Sequence, residues 1–327
     1  MLNRSQLSIC HVLFIVLYTI ITFGRSAYAD IPGNVEFTPI PYTPGRGGIQ
    51  LVKVKVDRTQ TAIFMFDSGA NYSAISDALV KRLKLQPSPA LTSLGNPMMD
   101  SFEPGKPLQG VLLSSVAVGD LIIRNSRFII LDAKPLEAFG QSIDGILGAN
   151  MAAKCPILLN IQKHQLTFLR RSPTPDDLKK IGMSDAVSVP VRDVDKSSHY
   201  KFPIKVGSGS SSAEGDMMLD TGSNLTYISG TLADQLHLKP QGHGSVSTFY
   251  GPIATSDATV SSLQFGEITL SDLWVNYVDE PKIVSPFNNN VLGLDVLSYF
   301  RVLLDYPDGK IYFQPSTVDA SPAAHLP

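Results

Sequence analysis

One eight-residue stretch occurs twice in this chain, and little else in the sequence limits the fold as tightly. Phe64-Met65-Phe66-Asp67-Ser68-Gly69-Ala70-Asn71 returns as Met217-Met218-Leu219-Asp220-Thr221-Gly222-Ser223-Asn224, 153 positions on. The register then holds without a gap: Ile75-Ser76 falls on Ile228-Ser229, and Leu79, Leu83 and Leu85 fall on Leu232, Leu236 and Leu238. Each copy reads as an apolar strand, a turn built on Asp and Gly, and a short amphipathic helix. Solenoid units repeat every ~20–50 residues. This period is far longer, so two fused copies of one small domain are expected.

The first 29 residues read as a secretory signal peptide: Arg4, an apolar run from His11 to Phe23, then Ala27-Tyr28-Ala29 as the cleavage site. The run is short of the ~20 residues a membrane-spanning helix needs. Retention as an anchor is the alternative. Removing Arg4 and Arg25 leaves 25 basic against 29 acidic residues, a net charge of −4. With no dense basic run, nucleic acid and anionic membrane are poor partners. Cys155 is then the one remaining cysteine, so no internal disulfide can form and stability must come from the core. Plentiful Pro and Gly with few helical runs point to an all-β or mostly β class.

In chain order, residues 30–47 read as an extended lead-in. Residues 48–170 form the first copy, 171–185 a linker, 186–315 the second copy and 316–327 a disordered tail. Val52, Val54 and Val56 alternate with Lys53 and Lys55, a half-buried strand that returns through Ala62 to Phe66 and delivers Asp67 at its end. Pro87 to Gly110 reads as a long loop or loose hairpin. Gly207 to Gly215 reads as a flexible Ser/Gly turn, and Gln241 to Ser256 as the long loop of the second copy. Ile146-Leu147-Gly148 matches Val291-Leu292-Gly293.

A single Asp-Ser-Gly reads as an Asx-type turn. Here the triplet occurs twice, ends an apolar strand each time, and is followed each time by two apolar residues and a glycine. That combination resembles the aspartic peptidase family in its retropepsin-like and pepsin-like forms. The likeness is closer to bacterial exported proteins with two tandem retropepsin-like domains than to stomach-type enzymes, whose disulfides and prosegment are absent. The resemblance covers both halves of the chain. It implies two pseudo-two-fold-related acid-protease β-barrel lobes with a cleft between them. It also implies a peptide or unfolded protein substrate bound there as an extended strand.

The resemblance assigns Asp67 and Asp220 as the catalytic dyad. Two carboxylates ~3 Å apart cannot both ionise and share one proton, for which aspartic proteases are the general example. Such a pair supplies a base for water and an acid for the substrate carbonyl, with no cofactor or metal. Ser68 and Thr221 match the positions whose hydroxyls lock the two loops together, and Gly69 and Gly222 let amides approach the carboxylates. Gly148 and Gly293 are expected to be structural, beneath the dyad. Ser223, where the first loop has Ala70, would favour the ionised form of Asp220 if its hydroxyl donates to it. Asn71 and Asn224 are expected to shape a turn or cap a helix. Phe102, Phe249 and Tyr250 are candidates to line the cleft from the flap-like loops.

Other chemistries do badly: there is no Gly-x-Ser-x-Gly and no His-Glu-x-x-His, and the histidines are scattered. Asn71-Tyr72-Ser73 and Asn224-Leu225-Thr226 are formal glycosylation sites beside the proposed loops, and a glycan there would block the cleft. A bacterial periplasmic or secreted protein is therefore expected. Because one chain carries both aspartates, a monomer is expected. Two functional readings follow: an exported aspartic endopeptidase, or a catalytically silent binding or scaffold protein on the same fold.

Overall fold

The computed structural model describes residues 38–58, 60–90, 108–139, 142–194, 198, 200–248, 251–278 and 289–316. The signal-peptide reading, the cleft candidates Phe102, Phe249 and Tyr250, and the tail beyond Ser316 lie outside the described residues. No helix among the described residues is long and apolar enough to cross a membrane.

The alternating Val and Lys of the first long strand are realised directly. In Gln50–Val56 the three valines are fully buried while Lys53 and Lys55 are exposed. This strand pairs with Gln60–Phe66 and also reaches Gln109–Val118, through Lys55 to Ala117 and Val56 to Val116, which curls the sheet toward closure. The full order is Thr43–Pro44, Gln50–Val56, Gln60–Phe66, Gly145–Leu147, Ala74–Ser76, Leu121–Leu131, Gln109–Val118 and Ser88–Pro89.

The second copy repeats that order. It runs Arg192–Asp193, Tyr200–Ser208, Ser211–Leu219, Asn290–Leu292, Tyr227–Ile228, Ile268–Val278, Gly251–Phe265 and Gly242–Thr248. Its closing contact joins Lys205 and Val206 to Gln264 and Leu263. Each lobe's loop helix, Asp77–Leu83 or Gly230–Gln235, is capped by a serine that accepts an amide three residues on. Those caps are Ser76 and Ser229, not Asn71 and Asn224.

Two stretches read as loops are strands. Ser211 to Gly215 continues the strand Ser211–Leu219, leaving only Gly209 and Ser210 as the turn. Its small residues hide an alternation, with Ser211, Ala213 and Gly215 half-buried and Ser212 and Glu214 exposed. The loop from Gln241 becomes a hairpin of Gly242–Thr248 on Gly251–Phe265, because every residue from Gly242 to Thr248 finds a ladder partner.

A six-stranded sheet joins the lobes. Its centre is the antiparallel pair Ile157–Asn160 and Phe300–Asp305, flanked by Gln165–Phe168 and Ile40–Pro41 on one side and Lys310–Pro315 and Val187–Pro190 on the other. These strands read as continuous apolar runs because both faces are covered. Ile157, Leu159, Val302 and Leu304 enter one core that spans both lobes. Leu158, Leu303 and Tyr312 face the opposite way, into a smaller core with Leu169 and Met183.

The linker builds that smaller core. Pro175–Lys180 is a helix with a capping box between Thr174 and Asp177, and Leu178, Ile181 and Ala186 pack against the smaller core. Arg301 fastens its end, donating to the carbonyls of Ile181 at 2.5 Å and Gly182 at 2.9 Å. The end of the lead-in is likewise part of the fold: Ile40 pairs with Leu166, and buried Tyr42 donates its amide to His164 O at 2.9 Å.

Candidate active site

Each aspartate is delivered by the same device. Gln60–Phe66 runs parallel to Gly145–Leu147, pairing Phe66 with Leu147, and the next amide, of Asp67, donates to Leu147 O at 3.0 Å. In the second lobe Leu219 pairs with Leu292 and the Asp220 amide donates to Leu292 O, also at 3.0 Å. Where the supporting strand leaves, it must pass directly under the turn. A Cβ on Gly148 would stand 2.6 Å from Ala70 O, and one on Gly293 would collide with the backbone of Leu225. Those glycines are required by close approach, since their φ values of −87° and −93° suit any residue.

The two turns are locked to each other by crossed hydroxyls. Thr221 Oγ1 accepts the Ser68 amide at 3.0 Å and donates to Phe66 O at 3.0 Å. Ser68 Oγ accepts the Thr221 amide at 3.1 Å and donates to Leu219 O at 2.8 Å. All four bonds run between lobes, and both side chains are buried. Their burial away from water makes each bond costly to lose.

This lock sets the carboxylates face to face, hydrogen-bonded to one another. Each also lies against the glycine of the opposite loop. A Cβ on Gly222 would fall 2.6 Å from Asp67 Cγ, and one on Gly69 would strike the Asp220 carboxylate. Amide donors complete the setting. Asp67 Oδ1 accepts from Gly69 at 2.9 Å and Ala70 at 3.0 Å, while Asp220 Oδ1 accepts from Gly222 at 2.8 Å.

Burial raises the proton affinity of both groups above the ordinary carboxylate range. For Asp67, the hydrogen bond from Asp220 and the Ala70 and Gly69 amides pull the other way. For Asp220 the negative charge of Asp67 adds to burial, and only the Gly222 and Ser223 amides oppose it. The two groups therefore titrate as one unit and share a single proton between them.

Ser223 corrects one expectation. Its hydroxyl donates to Leu225 O at 2.7 Å, so only its amide supports Asp220. Asn224 is exposed beside the turn Arg46–Gly48, where a Cβ on Gly47 would lie 3.2 Å from Asn224 Cβ.

A further layer was not singled out in the sequence. The Gly148 amide donates to Ser73 Oγ at 3.0 Å, and Ser73 donates to Asn150 Oδ1 at 2.8 Å. In the second lobe Gly293 donates to Thr226 Oγ1 at 3.1 Å, and Thr226 to Asp295 Oδ1 at 2.6 Å. The signal was present: each hydroxyl lies six residues past its aspartate, and each acceptor two past its glycine. Among the described residues no three His, Cys, Asp or Glu side chains converge as a metal would need.

An Aspartyl protease family profile matches the chain twice, over residues 52–151 and 203–296, together more than half its length. No curated protein matches the chain. The two matched spans contain the two Asp-hydroxyl-Gly turns and their supporting strands. The chain thus belongs to the aspartyl protease family, as a tandem pair of retropepsin-like domains.

Proposed function

We propose that this protein is an exported aspartic endopeptidase that binds an extended peptide between its lobes and hydrolyses it with Asp67 and Asp220. The observation that carries the reading is the mutual seating of the two carboxylates, each against the other loop's glycine and each on a loop pinned by the crossed Ser68 and Thr221 hydroxyls. A water held between the carboxylates loses a proton to Asp67 as its oxygen attacks the scissile carbonyl. Asp220 gives its proton to the carbonyl oxygen, forming a gem-diol. Asp67 then passes its proton to the leaving amine, and the gem-diol's collapse to the acid returns a proton to Asp220. No atom of the protein becomes covalently bound, so the loops need only stay rigid and dry.

One chain supplies both carboxylates, so the working form is a monomer. Export rests on the segment 1–29 and places the protein in the periplasm or outside a bacterial cell. The test is cleavage of unfolded casein across pH, with and without a pepstatin-type transition-state mimic. Cleavage that the mimic blocks and that either Asp→Asn change abolishes supports the reading. Absence of cleavage at every pH, with the fold intact, moves the assignment to a binding or scaffold protein.

A further inference from the structure

The two halves of the site differ in charge one layer behind the dyad. In the first lobe neutral Asn150 accepts the Ser73 amide at 2.9 Å and the Ser73 hydroxyl at 2.8 Å. In the second, Asp295 holds the matching place, accepting the Thr226 amide at 2.9 Å and its hydroxyl at 2.6 Å. Asp295 also accepts its neighbour's amide, from Val296, at 2.8 Å. Thr226 Oγ1 accepts from the Gly293 amide and donates its hydrogen to Asp295 Oδ1. Every partner of Asp295 is thus a donor, and these bonds favour its ionised form against the burial that raises its proton affinity.

This carboxylate is tied closely to the Asp220 turn. Its own amide donates to Asn224 O at 3.2 Å, and the preceding Leu294 amide donates to Ser223 O at 2.8 Å. Tyr227, next to Thr226, lies within electrostatic reach of both Asp295 and Asp220, and burial together with those charges pushes its phenol up to about 12.

Among the described residues no cation forms an ion pair with Asp295. The turn Arg46–Gly48 packs on Leu294 through Gly48, yet Arg46 makes no ion pair with Asp295 among the described residues. Phe300–Asp305, which packs on the short helix Leu294–Leu297 that carries Asp295, turns Arg301 to the linker carbonyls and Asp305 to Ser172.

We propose that Asp295 is a third carboxylate of the site, a positioning residue whose charge, set against neutral Asn150, seats the shared proton on Asp220 and leaves Asp67 as the base. It does not touch the reacting atoms; it adds a charge to the asymmetry already present in the amide donors, two on Asp67 Oδ1 and one on Asp220 Oδ1. This rests on the dyad reading above. Asn150 takes both Ser73 donors on Oδ1 while Asp295 uses both oxygens, so Asp295→Asn gives up one accepted bond along with the charge, and each variant is first shown by circular dichroism to keep its fold.

The test follows each aspartate alone by carbon-13 carboxyl NMR, without substrate. In Asp67→Asn, adding Asp295→Asn should lower the Asp220 titration midpoint by about half a pH unit or more, as one removed charge nearby requires. In Asp220→Asn the same addition should move Asp67 by less than half as much. Adding Asn150→Asp to Asp220→Asn should instead raise the Asp67 midpoint. Equal movement of both aspartates, or no movement of Asp220, overturns the proposal. Because the titrations need no cleavage, a wild-type protein that fails to cut casein would sink the endopeptidase reading alone.

Discussion

Thr221→Val is the sharpest single probe of how the lobes hold the dyad. It keeps the side-chain shape and deletes one hydroxyl, so packing changes little. Two buried backbone groups lose their partner: the Ser68 amide and the Phe66 carbonyl, each bonded at 3.0 Å. Thr221 is fully buried, so water cannot replace the hydroxyl. An orphaned buried group costs ~1–3 kcal/mol, giving ~2–6 kcal/mol for the pair, a large part of the ~5–15 kcal/mol that holds a typical domain. At ~2–4 °C per kcal/mol for a protein of about this size, the melting temperature should fall by at least about 4 °C. Thr221→Ser keeps both bonds and loses one buried methyl, about 1 kcal/mol. Equilibrium urea unfolding of the two variants side by side gives the comparison. If Val and Ser variants fall within ~1 kcal/mol of each other, the crossed hydroxyls do not hold the lobes together and the reasoning fails.

Three further outcomes are expected. Asp67→Asn and Asp220→Asn should each remove nearly all casein cleavage, and mixing the two should not restore it; recovery on mixing would mean that sites assemble between chains. Asp220→Asn should also stabilise the fold increasingly as pH rises. The raised proton affinity of Asp220 gives stability that is full below the ordinary carboxylate range and is lost as pH climbs through its folded value, and an amide escapes that loss. Melting curves from pH 4 to pH 8 should show the gap widening by about 2 °C or more, and a constant gap would contradict that raised proton affinity. Gly222→Ala should cut kcat by about 100-fold or more while circular dichroism stays native, because the new methyl would stand 2.6 Å from Asp67 Cγ; near-normal turnover would show that this contact does not position the carboxylate.

What the sequence made legible was whatever is written locally. The Asp-hydroxyl-Gly turns end strands whose apolar faces alternate or run unbroken, so the loops, both aspartates and both crossed hydroxyls followed from the residues and the resemblance they carry. The strand Ser211–Leu219 was hidden because Ser, Ala and Gly have little strand preference of their own, and its pairing with Tyr200–Ser208 decides the matter. The hairpin from Gly242 was hidden in the same way. The linker helix did carry a readable cap in Thr174-Pro175-Asp176-Asp177, but six residues form no stable helix without the sheet beneath them. Asp295 escaped notice because Thr226, its partner, is 69 positions away, and only the fold brings them together.

The sheet that joins the lobes also dictates an order of events when the chain is made. Asn160 pairs with Arg301, which leaves the ribosome 141 residues later. Until then the first lobe carries an open edge at Ile157–Asn160, apolar on both faces, with nothing along one side. An edge of that kind invites pairing with any other strand in reach. Contacts so distant in sequence also form slowly. The first lobe is therefore not a free-standing product that waits for the second. Truncation after the linker should give an aggregating fragment, and a cell that makes this protein must keep nascent copies apart until the last hairpin arrives.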